Sequence, residues 1–534
     1  MKRASTAVAA SLALTGLSLG PAAQARAQTG EPPTLVVMIV VDQLGGDLVN
    51  RYESVLQGGF RRFLDEGHRF TQASHAHAMT ETAAGHATLA TGVFPSRHGI
   101  VSNAWRQRTG FTWFETYAVA DSLAPIVAFE DQPTLEGRSP KNMLREGIAD
   151  WVLAQDPEAR TVSISKKDRA AITMAGQTRS NVWWLFDRLG LFVTSRHYAS
   201  TYPDWMRRFN RDVMPRFTAD TEWRSLVPSG AHSLAADDRF RYEGNGEHTT
   251  FPHRARDEVP SGDAQATNIW AFDQPRADDA VLELAKRAID ELDLGQRGPT
   301  DFLAVSFSAL DRVGHAYGPL SQEAFSTMLN LDLVLGNLLT YLDEVVGEGR
   351  WVAGLAGDHG AVDIPERARQ MGNEEAERID QDDLFDDIGD VVRDAASSGG
   401  RPEAVAELIA ELLEEREIAA AAYTHHELTL GGEPADSFAV LFRNSHYPGR
   451  SWGILSRAGV EVRFGEGDLV SPYRTGTNHG SPYWYDRHVE MMLLGPGVPP
   501  GSSDIPAYTV DFAPTLAALA RVGFPDDLDG RRLF

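Results

Sequence analysis

Three predominantly apolar runs of strand length dominate the hydrophobic pattern of this chain. They cover residues 35–41, 301–308 and 351–356. Runs of this length that are rich in β-branched residues are typical of parallel strands buried on both faces. Helical periodicity lies between and beyond them, at residues 279–292, 321–345 and 403–416. The alternation predicts an α/β fold with a mostly parallel central sheet flanked by helices on both faces.

Other parts of the chain are less regular. Two more strands are expected late in the chain, at residues 438–442 and 489–494. The segments 105–260 and 362–435 have weaker periodicity and are richer in aromatic, proline or acidic residues. We interpret these two segments as insertions that form a cap or rim over the site.

Residues that can bind metals follow each of the three apolar runs. The candidates are Asp42 after the first run, Asp311 and His315 after the second, and Asp358 and His359 after the third. The carboxyl ends of parallel strands meet at one edge of a sheet, so we expect these side chains to lie together. His479, within Thr477-Asn-His-Gly480, completes a set of six.

The spacing of these candidates favours convergence on metal ions. Asp311 and His315 are four residues apart, so one helical turn brings both side chains to the same face. Asp358 and His359 are adjacent, and the glycines on either side predict an irregular turn that lets both converge. Oxygen and imidazole ligands without thiolates suit two zinc ions, with manganese or iron as alternatives.

A candidate nucleophile lies in the stretch from Met79 to Asn103. Thr82 stands at the start of an apolar segment there. A threonine hydroxyl is a weak nucleophile at neutral pH, so it needs a base or a metal to activate it. The neighbouring histidines lack carboxylate partners at useful spacing, and we assign to packing and hydrogen bonding His75, His77, His86 and His98.

The first residues have the features of a secretory signal peptide. A short basic start precedes an apolar or small-residue run from Thr6 to Leu19, followed by small residues suited to cleavage. That run is shorter than the roughly 20 residues of a bilayer span, and we expect no stable membrane insertion. We predict a signal peptide over residues 1–27, a catalytic domain over residues 28–534, and a periplasmic or secreted location.

The composition narrows the chemistry and the partners. Cysteine is absent from all 534 residues, which excludes a thiol nucleophile, a thiolate metal site and the cysteine-derived nucleophile of sulfatases. The formal net charge is -25. Such a surface repels polyanions, so we expect no nucleic acid partner, although a local positive site can still attract a small anion.

These motifs together resemble the alkaline phosphatase superfamily. Within it, the chain is most similar to the phosphate-irrepressible alkaline phosphatases with a threonine nucleophile, close to the nucleotide pyrophosphatases and phosphodiesterases. The resemblance covers nearly the whole mature chain. It rests on the motifs Val41–Gln43, Thr80–Thr82, His98–Asn103, Ser165–Arg169, Asp311–His315, Ala356–Gly360, His479–His488, Val510–Leu516 and Leu528–Arg531.

The resemblance implies a role for each matching residue. One zinc ion would be held by Asp311, His315 and His479. The second zinc ion would be held by Asp42, Asp358 and His359, together with the nucleophile Thr82. The phosphoryl oxygens would be contacted by Asn103, Lys167 and Arg169. One departure is visible, since Ala83 and Ala84 follow the nucleophile where the family pattern has a proline nearby.

The resulting hypothesis is a secreted, metal-dependent phosphatase that hydrolyses small phosphate monoesters through a covalent phosphothreonine. Lys167 and Arg169 favour a monoester dianion over a diester, which carries less charge. The first alternative is a phosphodiesterase or nucleotide pyrophosphatase, favoured if a base-stacking pocket is lined by Trp105, Trp183, Trp184 or Trp270. The second is a non-catalytic exported protein that binds metal or phosphate. The oligomeric state stays open.

Overall fold

A nine-stranded sheet forms the centre of the described part of the chain. The computed structural model describes residues 31–109, 112–130, 135–219 and 221–534, so the predicted signal peptide lies outside the described residues. In chain order, the strands of this sheet are β1 Leu35–Val41, β2 His68–Phe70, β3 Thr161–Ser165, β4 Asn181–Phe186, β5 Leu191–Val193, β6 Asp301–Phe307, β7 Trp351–Gly357, β8 Met491–Leu494 and β9 Gly501–Ser503. The three predicted apolar strands are therefore β1, β6 and β7.

The sheet is mostly parallel, as predicted. Its strand order is β9-β2-β8-β7-β1-β6-β3-β4-β5. The five strands from β7 to β4 in this order pair in parallel, whereas β8 and β5 pair antiparallel to their neighbours. The α/β class is therefore confirmed, with β1 at the centre.

Both faces of the sheet are covered at its centre, as the burial of every residue of β1 shows. The odd-numbered residues of β1 pack into a core with the helices Arg276–Glu291 and Gln322–Leu342. The even-numbered residues pack into a second core with the helices Ile148–Gln155 and Phe512–Leu519. Side chains alternate between the faces of a strand, so an unbroken apolar run fills both cores at once.

The remaining elements surround this arrangement. The other helices span Leu48–Tyr52, Gly59–Glu66, Thr82–Thr91, Pro95–His98, Asp168–Met174, Asp204–Arg208, Pro215–Ala219, Ala255–Glu258, Ala264–Phe272, Ala309–Tyr317, Pro365–Gln370, Gln381–Ser397, Pro402–Glu415, His425–Leu430, Ser437–Ser445 and Trp484–Arg487. Smaller sheets pair Ala104–Thr109 with Thr112–Tyr117 and Arg450–Ser451, Ala73–Ser74 with Ala507–Tyr508, Glu222–Trp223 with His253–Arg254, Arg378–Asp380 with Leu469–Ser471, and Ala421–Thr424 with Val460–Arg463. Among the described residues, no helix is long and apolar enough to cross a membrane.

The prediction of a strand at residues 438–442 is wrong. Residues 438–442 lie in a helix because the Asp436 carboxylate accepts a hydrogen bond from the Ala439 amide at 2.8 Å, which caps the first turn. The buried Ala439 and Phe442 are three residues apart, which suits one helical face. The strand expected at residues 489–494 is β8.

The two predicted insertions differ from each other. The range 105–260 contains β3, β4 and β5, so it is not an insertion throughout. The range 362–435 instead packs with residues 455–470 around a small core of its own, which includes Leu384, Ile388, Ile409, Leu413 and Val460. That this second range covers the site stays a prediction.

Candidate active site

The site lies at the carboxyl edge of the sheet because three central strands end in register. Val41, the last residue of β1, pairs with Phe307 of β6 and with Gly357 of β7. The candidate ligands Asp42 and Asp358, which directly follow β1 and β7, therefore start from aligned strand ends. Asp311 lies in the first turn of the helix Ala309–Tyr317, which directly follows β6.

Asp42, Asp358 and His359 form a fully buried group. His359 Nε2 lies 3.3 Å from Asp42 Oδ1 and 3.4 Å from Asp358 Oδ2. Within the described residues, Asp42 Oδ1 and His359 Nε2 make no hydrogen bond. Buried polar atoms rarely stay without a partner, and two carboxylates with one imidazole suit a divalent cation. This group therefore fits a metal ion.

A second group lies beside the first. Asp311 Oδ1 is 3.2 Å from His315 Nε2 and 3.5 Å from His479 Nε2, as expected for residues four apart on one helical face. His479 also stacks on His359, with ring centroids 3.6 Å apart. The tight ligand clusters in the described part of the chain are Asp42–Asp358–His359 and Asp311–His359–His479. His359 is thus shared, and His315 lies outside both clusters. The arrangement is consistent with a bimetallic site.

Backbone carbonyls orient all three histidines. The Nδ1 atoms of His315, His359 and His479 lie 3.0, 2.9 and 2.7 Å from the carbonyl oxygens of Thr477, Gly360 and Thr80. A carbonyl can only accept a hydrogen bond, so each Nδ1 carries a proton. Nε2 is consequently the nitrogen that each ring presents to the carboxylates, as in many metal sites.

The glycines that flank Asp358 and His359 are required by close packing. A Cβ on Gly357 would overlap the Leu44 carbonyl, and a Cβ on Gly360 would overlap the Tyr485 carbonyl. Neither glycine is among the described residues with positive φ. Asp358 and His359 converge as predicted, but the flanking glycines are required by the approach of neighbouring backbone and not by positive φ angles in an irregular turn.

Thr82 is fully buried and begins the helix Thr82–Thr91. Its Oγ1 lies 3.3 Å from Lys167 Nζ and 3.3 Å from Arg169 Nη2. Lys167 Nζ also lies 2.6 Å from a carboxylate oxygen of Asp42 and 2.6 Å from one of Asp311. The hydroxyl therefore lies between two cations and the ligand groups, at a helix N-terminus that favours anions.

The helix that begins at Thr82 packs directly against the end of β7. Ala83, Ala84 and Gly85 are fully buried, and a Cβ on Gly85 would overlap the backbone carbonyl of Asp358. The residues after Thr82 are small because the segment that carries Asp358 lies against them. The departure from the family pattern at Ala83 and Ala84 is compatible with this packing.

Asn103 is held by Glu81, a residue that the sequence analysis missed. Glu81 Oε2 accepts hydrogen bonds from the backbone N–H of Asn103 and from the Ser102 hydroxyl, both at 2.6 Å. Asn103 Oδ1 accepts one from the Ala83 amide at 2.9 Å, which leaves its NH₂ group available for a ligand. The only feature of the sequence that could have indicated this role is the position of the acidic Glu81 directly before Thr82.

Gln43 was also missed. Its φ of 67° is left-handed, a conformation that is uncommon outside glycine and concentrates at functional sites. Its amide donates to Asp358 Oδ1 at 3.0 Å, and its Nε2 donates to Asp311 Oδ1 at 3.4 Å. Gln43 therefore links the two ligand groups, although only its position after Asp42 hinted at this.

His86 is buried and hydrogen-bonded, as expected, and it also contacts a carboxylate that the sequence analysis did not assign to it. Its Nδ1 lies 3.1 Å from Asp358 Oδ2 and 2.8 Å from the Thr82 carbonyl, and its Nε2 lies 2.9 Å from Ser306 Oγ. It therefore has the carboxylate partner that its sequence neighbours do not supply. Fully buried, as expected for packing residues, are His75, His77 and His98.

The electrostatics of the site favour ionised carboxylates. Burial raises the pKa of Asp42, but Lys167 and His359 outweigh it and hold that pKa well below its usual range. Burial lowers the pKa of His359, yet the adjacent carboxylates reverse this and raise it to about 9. Burial and the charge of His359 lower the pKa of His479 to about 4. A metal that binds through His359 must therefore displace a proton.

The four tryptophans of the phosphodiesterase alternative lie in different environments. Trp105 and Trp183 belong to hydrophobic cores and are each only 2% exposed. Trp270 Nε1 donates to Glu258 at 3.0 Å. Trp184 is also 2% exposed and lies in the same hydrophobic core as Trp105, but it contributes to the wall of a cavity of about 300 Å³ that Lys167 and Arg169 also line.

The chain belongs to the type I phosphodiesterase / nucleotide pyrophosphatase family, whose profile matches residues 36–453, and hence to the alkaline phosphatase superfamily. Within this superfamily it falls among the phosphate-irrepressible alkaline phosphatases. It is 28% identical over 522 residues to the alkaline phosphatase PhoV of Synechococcus elongatus, covering 94% of this chain and 93% of PhoV. It is also 28% identical to the alkaline phosphatase PafA of Elizabethkingia meningoseptica, with 93% of each chain covered.

The chain is also similar to a third sequence relative and to solved structures of PafA. A protein of Myroides odoratus named as a calcium-transporting ATPase is 32% identical, with 93% of each chain covered. The crystal structure of PafA superposes with a TM-score of 0.83 at 26% identity, covering 94% of this chain and 99% of PafA, which confirms the alkaline phosphatase-like fold. A PafA variant substituted at one threonine, one asparagine, one lysine and one arginine also superposes with a TM-score of 0.83.

Proposed function

We propose that this protein is an exported phosphatase that hydrolyses small phosphate monoesters through a phosphothreonine on Thr82. The observation that supports this most directly is the position of Thr82 Oγ1, 3.3 Å from both Lys167 Nζ and Arg169 Nη2. Full-length relatives that are alkaline phosphatases, among them PhoV and PafA, support the same activity. A protein that only bound metal or phosphate would not need a hydroxyl at this point.

In this proposal the reaction has two steps. Thr82 Oγ loses its proton and forms a bond to phosphorus as the ester P–O bond breaks, and the oxygen of the leaving group takes up one proton, so that an alcohol departs. A water oxygen then attacks the phosphothreonine, the Oγ–P bond breaks, and Thr82 regains its proton as phosphate leaves. Lys167, Arg169 and the Asn103 NH₂ group would bind the phosphoryl oxygens, because phosphoryl transfer depends mainly on positioning and charge stabilisation.

We infer that the ligand groups hold two zinc ions. Asp42, Asp358 and His359 would hold one, and Asp311, His315 and His479 would hold the other. Bound divalent cations lower the pKa of a coordinated hydroxyl and stabilise charge on phosphoryl oxygens. The oxygen and imidazole donors, together with the unpartnered Asp42 Oδ1 and His359 Nε2 in the described structure, support this assignment.

A phosphodiesterase activity is the second candidate. The family description and the position of Trp184 beside Lys167 and Arg169 favour it. A diester carries one negative charge less and a second organic group, so it cannot use the full set of phosphoryl donors. The two activities therefore predict different responses when the cations are removed.

The deciding experiment measures kcat/KM for 4-nitrophenyl phosphate and for methyl 4-nitrophenyl phosphate. Wild type should prefer the monoester. The double variant Lys167→Ala/Arg169→Ala should lose several kcal/mol on the monoester, since each charge-assisted hydrogen bond contributes roughly 1.5–3 kcal/mol, and much less on the diester. Arg287→Ala, which removes an exposed cation from the helix Arg276–Glu291, is the matched control. An equal loss on both substrates, or a wild type that prefers the diester, would establish the phosphodiesterase instead.

A further inference from the structure

A cavity of about 300 Å³ adjoins the nucleophile. Lys167 and Arg169, whose side chains contact the Thr82 hydroxyl, form part of its wall. Three further cations that the proposed reaction does not use also line it, namely Arg138, Lys166 and Arg312. They come from three separate segments, so the fold assembles this group of cations at the carboxyl edge of the sheet.

Carboxylates hold these cations in place. Arg312 donates from Nε and Nη2 to Asp273 at 2.8 and 3.0 Å, and Lys166 Nζ donates to the same carboxylate at 2.8 Å. Arg138 Nε donates to Asp168 Oδ2 at 2.7 Å. A guanidinium has five N–H groups and an ammonium three, so these side chains are fixed and still retain donors for a ligand.

The charge of the lining is opposite to that of the chain. Five cations line the cavity against two carboxylates, Asp168 and Asp187, in a protein with a formal net charge of -25. The carboxylates that pair with these cations from behind, Asp273 with Lys166 and Arg312 and Asp42 and Asp311 with Lys167, lie outside the lining, so the excess of cations is confined to the cavity wall. A local reversal of charge in a concave site attracts and selects anions. Because Lys167 and Arg169 already serve the transferred phosphoryl group, the other cations are available for a second anionic group.

We propose that this cavity is a substrate subsite that binds a carboxylate or second phosphate carried by the alcohol part of the phosphate monoester. The proposal rests on the phosphatase activity proposed above. The volume lies at the lower end of the range for small-molecule sites, which suits a compact polyol or hydroxy-acid group. Substrates with two anionic groups should therefore be preferred over otherwise identical substrates with one.

A matched pair of substrates tests the subsite. 3-Phosphoglycerate and glycerol 3-phosphate differ only by a carboxylate in place of a hydroxymethyl group. Wild type should show a kcat/KM about five-fold or more higher for 3-phosphoglycerate, and added salt should reduce this preference. Hydrolysis of glycerol 3-phosphate without any preference would overturn the subsite and leave the phosphatase intact. Hydrolysis of 4-nitrophenyl phosphate but of neither ester would likewise overturn the subsite, and hydrolysis of none of the three would overturn the phosphatase itself.

Two substitutions should move the preference in opposite directions. Arg312→Gln removes a lining cation and should abolish most of the preference, because one charge-assisted hydrogen bond is large enough to account for a ratio of this size. Asp187→Asn removes a lining carboxylate, which lies 3.8 Å from Lys166 Nζ, and should increase the preference about three-fold. Arg287→Gln, remote from the lining, should keep the wild-type ratio. A misfolded variant cannot gain selectivity, so an unchanged ratio in Asp187→Asn and Arg312→Gln would overturn the proposal.

Discussion

Two regions meet at Thr82, and they are built differently. The ligand region follows the ends of β1, β6 and β7, is largely buried, and has histidines oriented by backbone carbonyls. The cationic region, with Lys167, Arg169 and the cavity lining, is held by side-chain ion pairs and is partly exposed. The difference teaches that the sheet itself positions the candidate metal ligands, whereas the proposed substrate selection depends on side chains that can change without altering the sheet.

Metal removal should have the largest effect, because it acts on the region where the buried Asp42 Oδ1 and His359 Nε2 make no hydrogen bond in the described structure. Chelation of the mature protein should abolish measurable turnover, and added zinc should restore it. Elemental analysis should find two zinc ions per chain, with circular dichroism as the control for folding. Full activity in chelator, in a protein without any transition metal, would contradict the ligand assignment.

Thr82→Ala acts at the point where the regions meet. It should lower kcat by roughly 10⁴-fold or more, as loss of a nucleophile does in other hydrolases, while the fold and metal content remain. Mass spectrometry of acid-quenched wild-type enzyme with substrate should locate phosphate on the peptide that contains Thr82. Phosphate on a different peptide would refute the assignment.

Glu81 should have an intermediate effect, since in the proposed reaction it would act on the substrate only by holding Asn103. Glu81→Ala should lower kcat/KM for the monoester by about 10–100-fold, the usual size for supporting residues of a site. Glu81→Gln keeps an acceptor for the Asn103 amide and should recover part of this loss. In the double variant with Asn103→Ala, the two losses should not add. Full additivity would show that Glu81 acts independently of Asn103.

The smallest effect is expected for stability in the cationic region. Burial raises the pKa of Asp273, but Lys166 and Arg312 outweigh it and hold that pKa well below the ordinary 3.8. A depressed carboxyl pKa contributes stability that is present above 3.8 and lost as the pH falls through the folded-state value. Asp273→Asn should therefore destabilise the metal-free protein at pH 7 by about 1–2 kcal/mol. Urea unfolding should show this difference shrinking below about pH 4, and a pH-independent difference would contradict the ion pairs.

The sequence predicted the ligand region better than its supporting contacts. Apolar runs and the residues that follow them are local features, so β1, β6 and β7 and the convergence of Asp42 with Asp358 could be anticipated. The contact of His86 with Asp358 joins segments far apart in the chain, and no local pattern marks it. The error at residues 438–442 was also local, because the capping residue Asp436 determined a helix where the apolar run suggested a strand.

Gly85 sets the distance between the helix that begins at Thr82 and the segment that carries Asp358. The helix that carries the nucleophile touches the backbone of Asp358 at this residue, and there is no space for even one methyl group between them. Gly85→Ala would force the helix that begins at Thr82 and the segment that carries Asp358 to move apart, without altering any group that is proposed to take part in the chemistry. Residue 85 is therefore a position at which one added carbon atom changes the distance between Thr82 and Asp358. Such a change offers a protein engineer a way to alter the metal radius or the transferred group that the site tolerates.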